Sequence, residues 1–533
     1  MGGAIHPSFR LTAGEKRRRL RSGGFGEMKL LYITGVACAT GLFVVACPLR
    51  AATCGGLAGV NYYVTPTGSD TNPCSAASPC RQIRQALTLV QPGDIVHVAD
   101  GVYLGFTADS IAGTAAGPIT LLAQGTNAYV QATTDRSDNR DNILITFCQY
   151  LVIDGLNSTN APRSGMRIDT SPNITVRNGH FGTNATWGIF TDFSDDTLLE
   201  NNECYASQQQ HGIYISNSSQ RPILRANRCH DNAGAGIHMN ADASEGGIGL
   251  ITNAIVENNV IYNNGTLGGA GINMDGVQTS IIRNNVLYNN YASGIAMFQI
   301  DGAQGPSGNL VAHNTIDQAT DARWALDISS SAGLNTVRNN ILNNRNPSHG
   351  GIDYQTDVDA ADTDSDYNLF SGTCTVTTND NDTNFTLTQW QAMGHELHSF
   401  CAAISNVVVN PLVDYHLITN SPAIDAGQTL ATVTTDMDWL TRPAGLSSDI
   451  GAYEFGAVLT PPTVTLQFIG SDACISFPTL ITKIYRIETA DDLKVGFSNV
   501  LTDNVPGTSD PFFATDPNAA SRMQRFYRVR IGP

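Results

Sequence analysis

Through the middle of the chain, apolar residues come in runs of two to four, too short for helices, and these runs recur. Leu199-Glu200-Asn201-Asn202, Val256-Glu257-Asn258-Asn259, Ile282-Arg283-Asn284-Asn285 and Val337-Arg338-Asn339-Asn340 align with one another, and Val311-Ala312-His313-Asn314 joins the same file. Equivalent asparagines fall at Asn202, Asn227, Asn259, Asn285, Asn314, Asn340 and Asn368, separated by 25, 32, 26, 29, 26 and 28 residues. A short apolar strand such as Val286-Leu287-Tyr288 follows each asparagine. After a turn comes a second signature, in which Gly precedes an apolar, exposed, apolar alternation: Gly165-Met166-Arg167-Ile168, Gly188-Ile189-Phe190-Thr191, Gly212-Ile213-Tyr214-Ile215, Gly236-Ile237-His238-Met239, Gly271-Ile272-Asn273-Met274, Gly294-Ile295-Ala296-Met297 and Gly351-Ile352-Asp353-Tyr354.

A period of this size means a solenoid. Each coil reads as three strands with Ile, Val, Leu and Met turned inward, which predicts an all-β, right-handed, three-sheet parallel β-helix. A dozen coils spaced ~4.8 Å apart would build a rod about 58 Å long. The recurring asparagines are expected to form an amide ladder inside a tight turn, where they satisfy backbone groups that the bend leaves unpaired. That role is structural. On the Gly-Ile strand, alternation places one outward file at Arg167, Phe190, Tyr214, His238, Asn273, Ala296, Asp327 and Asp353. A second lies at Asp169, Asp192, Ser216, Asn240, Asp275, Phe298, Ser329 and Gln355.

The ends differ from the middle. Met28-Lys29 opens an apolar run, Leu30 to Ala46, that closes near Ala51 and Ala52, the pattern of a secretory signal. Residues 1–27 are either an extended positive n-region or the product of an upstream start codon. Val44-Val45-Ala46-Cys47 also resembles a lipoprotein cleavage box, so a secreted and a lipid-anchored cell-surface protein are both open. No later apolar run is long enough to span a bilayer. The expected division is residues 1–52 as extension and signal, 53–455 as β-helix with an N-terminal cap, 456–462 as a Pro461-Pro462 linker, and 463–533 as a small β-sandwich.

Charge and cysteine narrow the function classes. The whole chain carries a formal charge of −17, and beyond residue 52 there are 22 Lys/Arg against 45 Asp/Glu. Such a surface argues against nucleic acid and anionic membranes. Nine cysteines follow Ala52, and export would permit disulfides. Cys74 with Cys80 and Cys374 with Cys401 are the expected bridges. Cys204 and Cys229 read as stacked core thiols.

The run GSDTNPCSAASPCRQIRQAL followed by PGDIVHVADGVY, together with the repeats, resembles exported pectate-lyase-like β-helix proteins over residues 61–455. The stretch from Asn410-Pro411-Leu412 through Ser421-Pro422-Ala423-Ile424-Asp425-Ala426-Gly427 to Asp449-Ile450-Gly451-Ala452-Tyr453-Glu454 is similar to the closing segment of bacterial surface β-helices. The resemblance implies a polysaccharide substrate lying along the Gly-Ile strands, walled by the longer turns Asp242 to Gly249 and Asp301 to Gly308. It also implies elimination on a uronate-containing glycan, which needs a base and a cation. Many pectate lyases supply Lys or Arg with calcium, yet Lys483 and Lys494 are the only lysines beyond the signal. His238, Tyr214 and Arg167 are then the candidate catalytic groups, with Asp275 beside them. Asp169, Asp192 and Asp242 are candidate calcium ligands, and His211, Asn240, Asn273 and Phe298 candidate substrate contacts. Glycoside hydrolysis by paired carboxylates, Asp169 with Asp192 or Asp275 with Asp242, Glu245 or Asp301, is the alternative. A non-catalytic glycan-binding surface protein is the third reading. A monomer is expected.

Overall fold

The computed structural model describes residues 52–54, 56–57, 59–131, 140–379, 383–459 and 461–532. The expected signal and the Cys47 box lie outside the described residues. The expected coil is present: three sheets of twelve strands each wind round one core, the chain passing from first to second to third sheet in every turn. The first sheet runs from Asn61–Val64 to Thr363–Asp366, and the second from Gly101–Tyr103 to Phe400–Cys401. The third runs from Phe106–Asp109 to Thr375–Thr378, where an antiparallel strand, Thr383–Thr386, closes it. Inward side chains stack on their own kind from coil to coil, as Ile213, Ile237, Ile272 and Ile295 do, all fully buried.

The Asn-Asn pairs mark the corner between first and second sheets, and the two asparagines do different work. The leading one bends the chain: Asn201, Asn258, Asn284 and Asn339 have φ between 52° and 59°, the left-handed region that asparagine tolerates best after glycine. The following one is the ladder. Asn285 Nδ2 donates to the Val256 carbonyl (2.9 Å) and to Asn314 Oδ1 (2.9 Å), while its Oδ1 accepts the Asn259 backbone N–H (3.0 Å). The ladder ends on Glu396, whose carboxylate accepts from Asn368 Nδ2 (3.1 and 3.2 Å) and whose pKa burial pushes up.

The other two corners carry ladders as well. Between second and third sheets, Asn232, Asn264 and Asn290 pass hydrogen bonds from backbone N–H to side-chain carbonyl (3.0–3.1 Å). Between third and first sheets, Ser194 and Ser219 hydroxyls do so, followed by Asn309 and Asn335. Each of the three corners therefore uses side-chain oxygens to accept backbone N–H groups, so three chemically different turns can stack.

The helix Ile83–Leu87 covers the first end of the core, and Leu387–Ala392 the other, with Trp390 stacked against Tyr354 (5.8 Å). Among the described residues no helix is long and apolar enough to cross a membrane.

The closing segment does not continue the coil. After Cys401 the chain runs back along the flank of the rod, and the corner asparagines hold it there. Asn258 Nδ2 donates to the Asp436 and Met437 carbonyls (both 2.8 Å), and Asn339 Nδ2 to that of Gln428 (2.7 Å). A fully buried ion pair, Arg442 with Glu454 (3.0 Å), locks this strap, and His313 is buried against Arg442 and Asn339. Beyond it, two three-stranded antiparallel sheets share a core of Ile475, Phe477, Tyr485 and Ile487, forming a small β domain.

Cys74 and Cys80 are bridged as expected, and Cys204 and Cys229 are buried free thiols on register partners. Cys374 and Cys401 are brought together as the expected pair, thiol hydrogen-bonded to thiol, but correct the expectation in being free rather than bridged. An unforeseen bridge joins Cys54 to Cys474 across 420 residues, tying the start of the described chain to the last domain. Arg177–Asp510 (2.6 Å) adds an ion pair between that domain and the first sheet.

Candidate functional site

The outward files of the third sheet have the register that alternation gives. Arg167, Phe190, Tyr214, His238, Asn273, Ala296, Asp327 and Asp353 are partners on successive coils, as are Asp169, Asp192, Ser216, Asn240, Asp275 and Phe298. The two long turns lie together at one edge: Ala243 N–H donates to the Asp301 carbonyl (2.9 Å) and Ala303 N–H to that of Gly249 (2.8 Å). Ile248 on the first turn and Ile300, just before the second, are exposed.

The first half of the face is aromatic. Trp187 lies 4.6 Å from Phe190 and 5.5 Å from Tyr214, and Phe190 stacks on Tyr214 at 5.2 Å and 14°. His238 meets the edge of Tyr214 at 5.2 Å, and His211 meets His238 at 4.4 Å. Thus four of the expected residues, Tyr214, His211, His238 and Asn240, do converge. Asn240 Nδ2 donates to Tyr214 Oη (3.2 Å) and to the Asp301 carboxylate (3.2 Å).

Hydrogen bonding orders the two imidazoles. Ala235 N–H donates to His211 Nδ1 (2.9 Å), which places the proton of neutral His211 on Nε2. That proton is donated to His238 Nδ1 (2.9 Å), leaving the proton of His238 on its own Nε2. Burial holds both rings neutral: it lowers the His238 pKa to about 4, and, helped by His238, it lowers that of His211 well below its ordinary value. Burial raises the Tyr214 pKa, with Asp242, Asp301 and Asp192 acting in the same direction. A neutral imidazole and a protonated phenol therefore stand side by side at neutral pH.

The remaining expected residues are otherwise engaged. Arg167 is paired with Asp192 (2.7 Å) and Asp169 (3.5 Å), its guanidinium 5.2 Å from the Phe190 ring. Asp242 accepts from the Ser244 backbone and hydroxyl (2.8 and 2.6 Å), the hydroxyl bond being the main cause of its lowered pKa. Asp275 is buried and accepts three backbone N–H groups, from Ile300 (2.9 Å), Asp301 (2.9 Å) and Gly302 (3.1 Å), so it fixes the turn that carries Asp301. Asn273 Oδ1 accepts from Ala270 N–H (3.0 Å). The proposed calcium ligands do not converge: Asp169 and Asp192 flank a guanidinium, while Asp242 caps a turn more than two coils farther on. Among the described residues no cluster of three His, Cys, Asp or Glu side chains forms a ligand set.

Beyond His238 the face deepens into a cavity of about 520 Å³, lined by Asn273, Phe298, Trp324, Asp327, Asp353 and Gln355 among others. Asp327 and Asp353 are direct register partners on its floor. Asp353 is 1% exposed and accepts from the Thr377 hydroxyl, whereas Asp327 is half-buried. Sequence reasoning placed both in the outward file without assigning them chemistry. The signal was there: they are its only two consecutive carboxylates.

The fold has relatives among solved structures. A pectate lyase, Pel9A, matches with a TM-score of 0.51 at 17% identity, over 75% of this chain and 98% of that one. A rhamnogalacturonan lyase matches at 0.40 and 15% identity, over 53% of this chain and 82% of that one. An alginate lyase from Paenibacillus sp. str. FPU-7 matches at 0.38 and 15% identity, over 59% and 95%. At these identities the likeness is one of fold. No curated protein matches the sequence significantly. Residues 121–264 match the family model described as the right handed beta helix region, and the coils from Asn61 to Cys401 form a right-handed parallel β-helix, the fold shared with the pectate lyase.

Proposed function

We propose that this protein is exported, acts as a monomer, and binds a polysaccharide along its third sheet, cleaving it by hydrolysis at Asp327 and Asp353. One observation carries the reading: two carboxyl groups on adjacent coils share the floor of a cavity that continues an aromatic face. Glycosidic hydrolysis needs one carboxyl group to protonate the leaving oxygen and another, ionised, to drive attack at the sugar carbon. Asp353, seated deeper and held by Thr377, is assigned the acid, and the more open Asp327 the base or nucleophile. The aromatic file gives a chain of sugar rings a surface to stack on, and a cavity of this size suits one ring at the cleavage position.

Elimination keeps one observation in its favour, the neutral His238 beside the protonated Tyr214. For His238 to act as the base, its Nε2 proton must first leave. That requires the proton order of the imidazole pair to reverse and the Ala235 hydrogen bond to break.

The test runs two assays in parallel on neutral polysaccharides (xylan, mannan, β-glucan, galactan) and acidic ones (polygalacturonate, alginate). Reducing ends report any cleavage, and ultraviolet absorbance of an unsaturated uronate reports elimination. Reducing ends without absorbance, lost in Asp353→Asn, are expected. An absorbance rise that survives Asp353→Asn would replace hydrolysis with elimination at Tyr214 and His238. No release from any polymer would leave binding alone.

A further inference from the structure

Several buried polar atoms on the aromatic half of the face have no hydrogen-bond partner among the described residues. They are His238 Nε2, Asn240 Oδ1, Trp187 Nε1 and Arg167 Nε. A buried polar group without a partner is destabilising, so native proteins keep few of them, and a ligand or a water can complete those that remain. Here their chemistry is specific. The Ala235–His211–His238 chain makes His238 Nε2 a donor, and Asn240, whose Nδ2 is already spent on Tyr214 and Asp301, offers an acceptor two residues along the same strand. A donor beside an acceptor is what a hydroxyl group, itself both, can satisfy.

The charges weigh against the common alternative. Asp192, Asp242 and Asp301 all bear on Tyr214, and the nearby cation, Arg167, is already divided between Asp192 and Asp169. A uronate carboxylate entering this face would meet like charge, and the nearby cation already stands in two ion pairs, with its Nε unpartnered. The stacked Trp187, Phe190 and Tyr214 rings suit the apolar C–H face of a pyranose.

We infer that Trp187, Tyr214, His238 and Asn240 form a binding subsite for an uncharged sugar ring, in which His238 Nε2–H donates to a ring hydroxyl and Asn240 Oδ1 accepts from one. His211 is its positioning residue: it touches no sugar, but it sets which nitrogen of His238 carries the proton. The inference rests on the reading that a glycan lies along the third sheet. The subsite stands three coils from Asp327, about 14 Å at ~4.8 Å per coil, so it grips the chain away from the scissile bond.

The test is calorimetric titration of the full-length Asp353→Asn protein, in which cleavage is blocked, with cellohexaose, mannohexaose, xylohexaose, hexagalacturonate and the glucosamine hexamer. At least one neutral hexasaccharide is expected to bind, and Trp187→Ala and Asn240→Ala to weaken it tenfold or more. Nitrogen-15 spectra of the histidine rings should show His238 protonated on Nε2, with that resonance moving when the sugar is added. His211→Phe keeps a ring beneath His238 and should weaken binding while shifting the His238 tautomer, a change that loss of packing alone would not produce. Tighter binding of hexagalacturonate or of the glucosamine hexamer would overturn the inference, as would neutral binding indifferent to both substitutions, or no binding at all. The two readings fail separately. Neutral binding without turnover in the wild type would sink the hydrolysis and spare the subsite, whereas turnover lost in Asp353→Asn with binding unaffected at Trp187 and Asn240 would do the reverse.

Discussion

Asn201 and Asn202 are identical neighbours, and their replacement by alanine should differ severalfold in cost. Asn202 is buried: its Nδ2 donates to the Val176 carbonyl (2.9 Å) and Asn227 Oδ1 (3.2 Å), and its Oδ1 accepts the Gly179 N–H (3.1 Å). Asn202→Ala orphans a buried backbone N–H, at about 1–3 kcal/mol, and removes two further hydrogen bonds at about 1 kcal/mol each, for a total of roughly 3–5 kcal/mol. Asn201 is exposed, at φ 52°, with one side-chain bond to Asn178 (2.8 Å). Asn201→Ala costs chiefly the left-handed backbone penalty, about 1–2 kcal/mol. Urea unfolding measures both, with hydrogen exchange at the Gly179 amide as the local reporter, because a solenoid need not unfold in one step. Equal costs for the two, or a loss below about 1 kcal/mol for Asn202→Ala, would refute the division of labour between bend and ladder.

Three further outcomes are expected. Arg442→Met leaves Glu454 buried without its cation and should destabilise by about 3–5 kcal/mol, with the 404–455 strap becoming susceptible to proteolysis; a resistant strap would contradict its role as a lock. His416 is hydrogen-bonded to Asp438 (2.8 Å) and Asp414 (2.6 Å), and its pKa is raised to about 9, the Asp438 bond being the main cause. Because the folded value lies above the unfolded one, its stabilisation is complete below about pH 6.5 and is lost as pH rises through about 9. Half exposure leaves it worth only about 1 kcal/mol; a nuclear magnetic resonance titration of His416 should show the high midpoint, and one near 6.5 would dismiss the bridge. In native protein a thiol reagent should modify the Cys374–Cys401 pair, where the hydrogen bond to Cys401 lowers the Cys374 pKa, and spare Cys148, Cys204 and Cys229 until unfolding, since burial raises the Cys148 pKa to about 11 and that of Cys204 well above its usual value.

The coil was legible because two periods ran together: strict alternation on the Gly-Ile strand fixed which residues face out, and the Asn-Asn pair fixed where each coil turns. That register was enough to bring Tyr214, His238 and Asn240 into one place before any coordinates. The other ladders were hidden because a lone Asn264 or Ser194 among polar turn residues looks like any solvated turn. The occupation of Asp275 was illegible for a different reason: its three partners are backbone N–H groups of a turn about 25 residues on, which leave no mark in side-chain identity. The same holds for the strap. Its hold on the rod runs through main-chain carbonyls of residues 428–437, so its sequence marked it as a closing segment without saying that it doubles back. The Cys54–Cys474 bridge joins two segments whose meeting depends on how the last domain docks, which no local spacing encodes.

The account stands most directly on kcat/KM of Asp327→Asn, Asp353→Asn and the double variant, measured as reducing-end release from whichever polysaccharide the wild type cleaves. If the two carboxyl groups work on one bond, each single variant loses about 10³-fold or more and the double loses little beyond that, because neither group functions alone. A single variant within about tenfold of wild type, its fold intact, would show that the bond is broken elsewhere on the face.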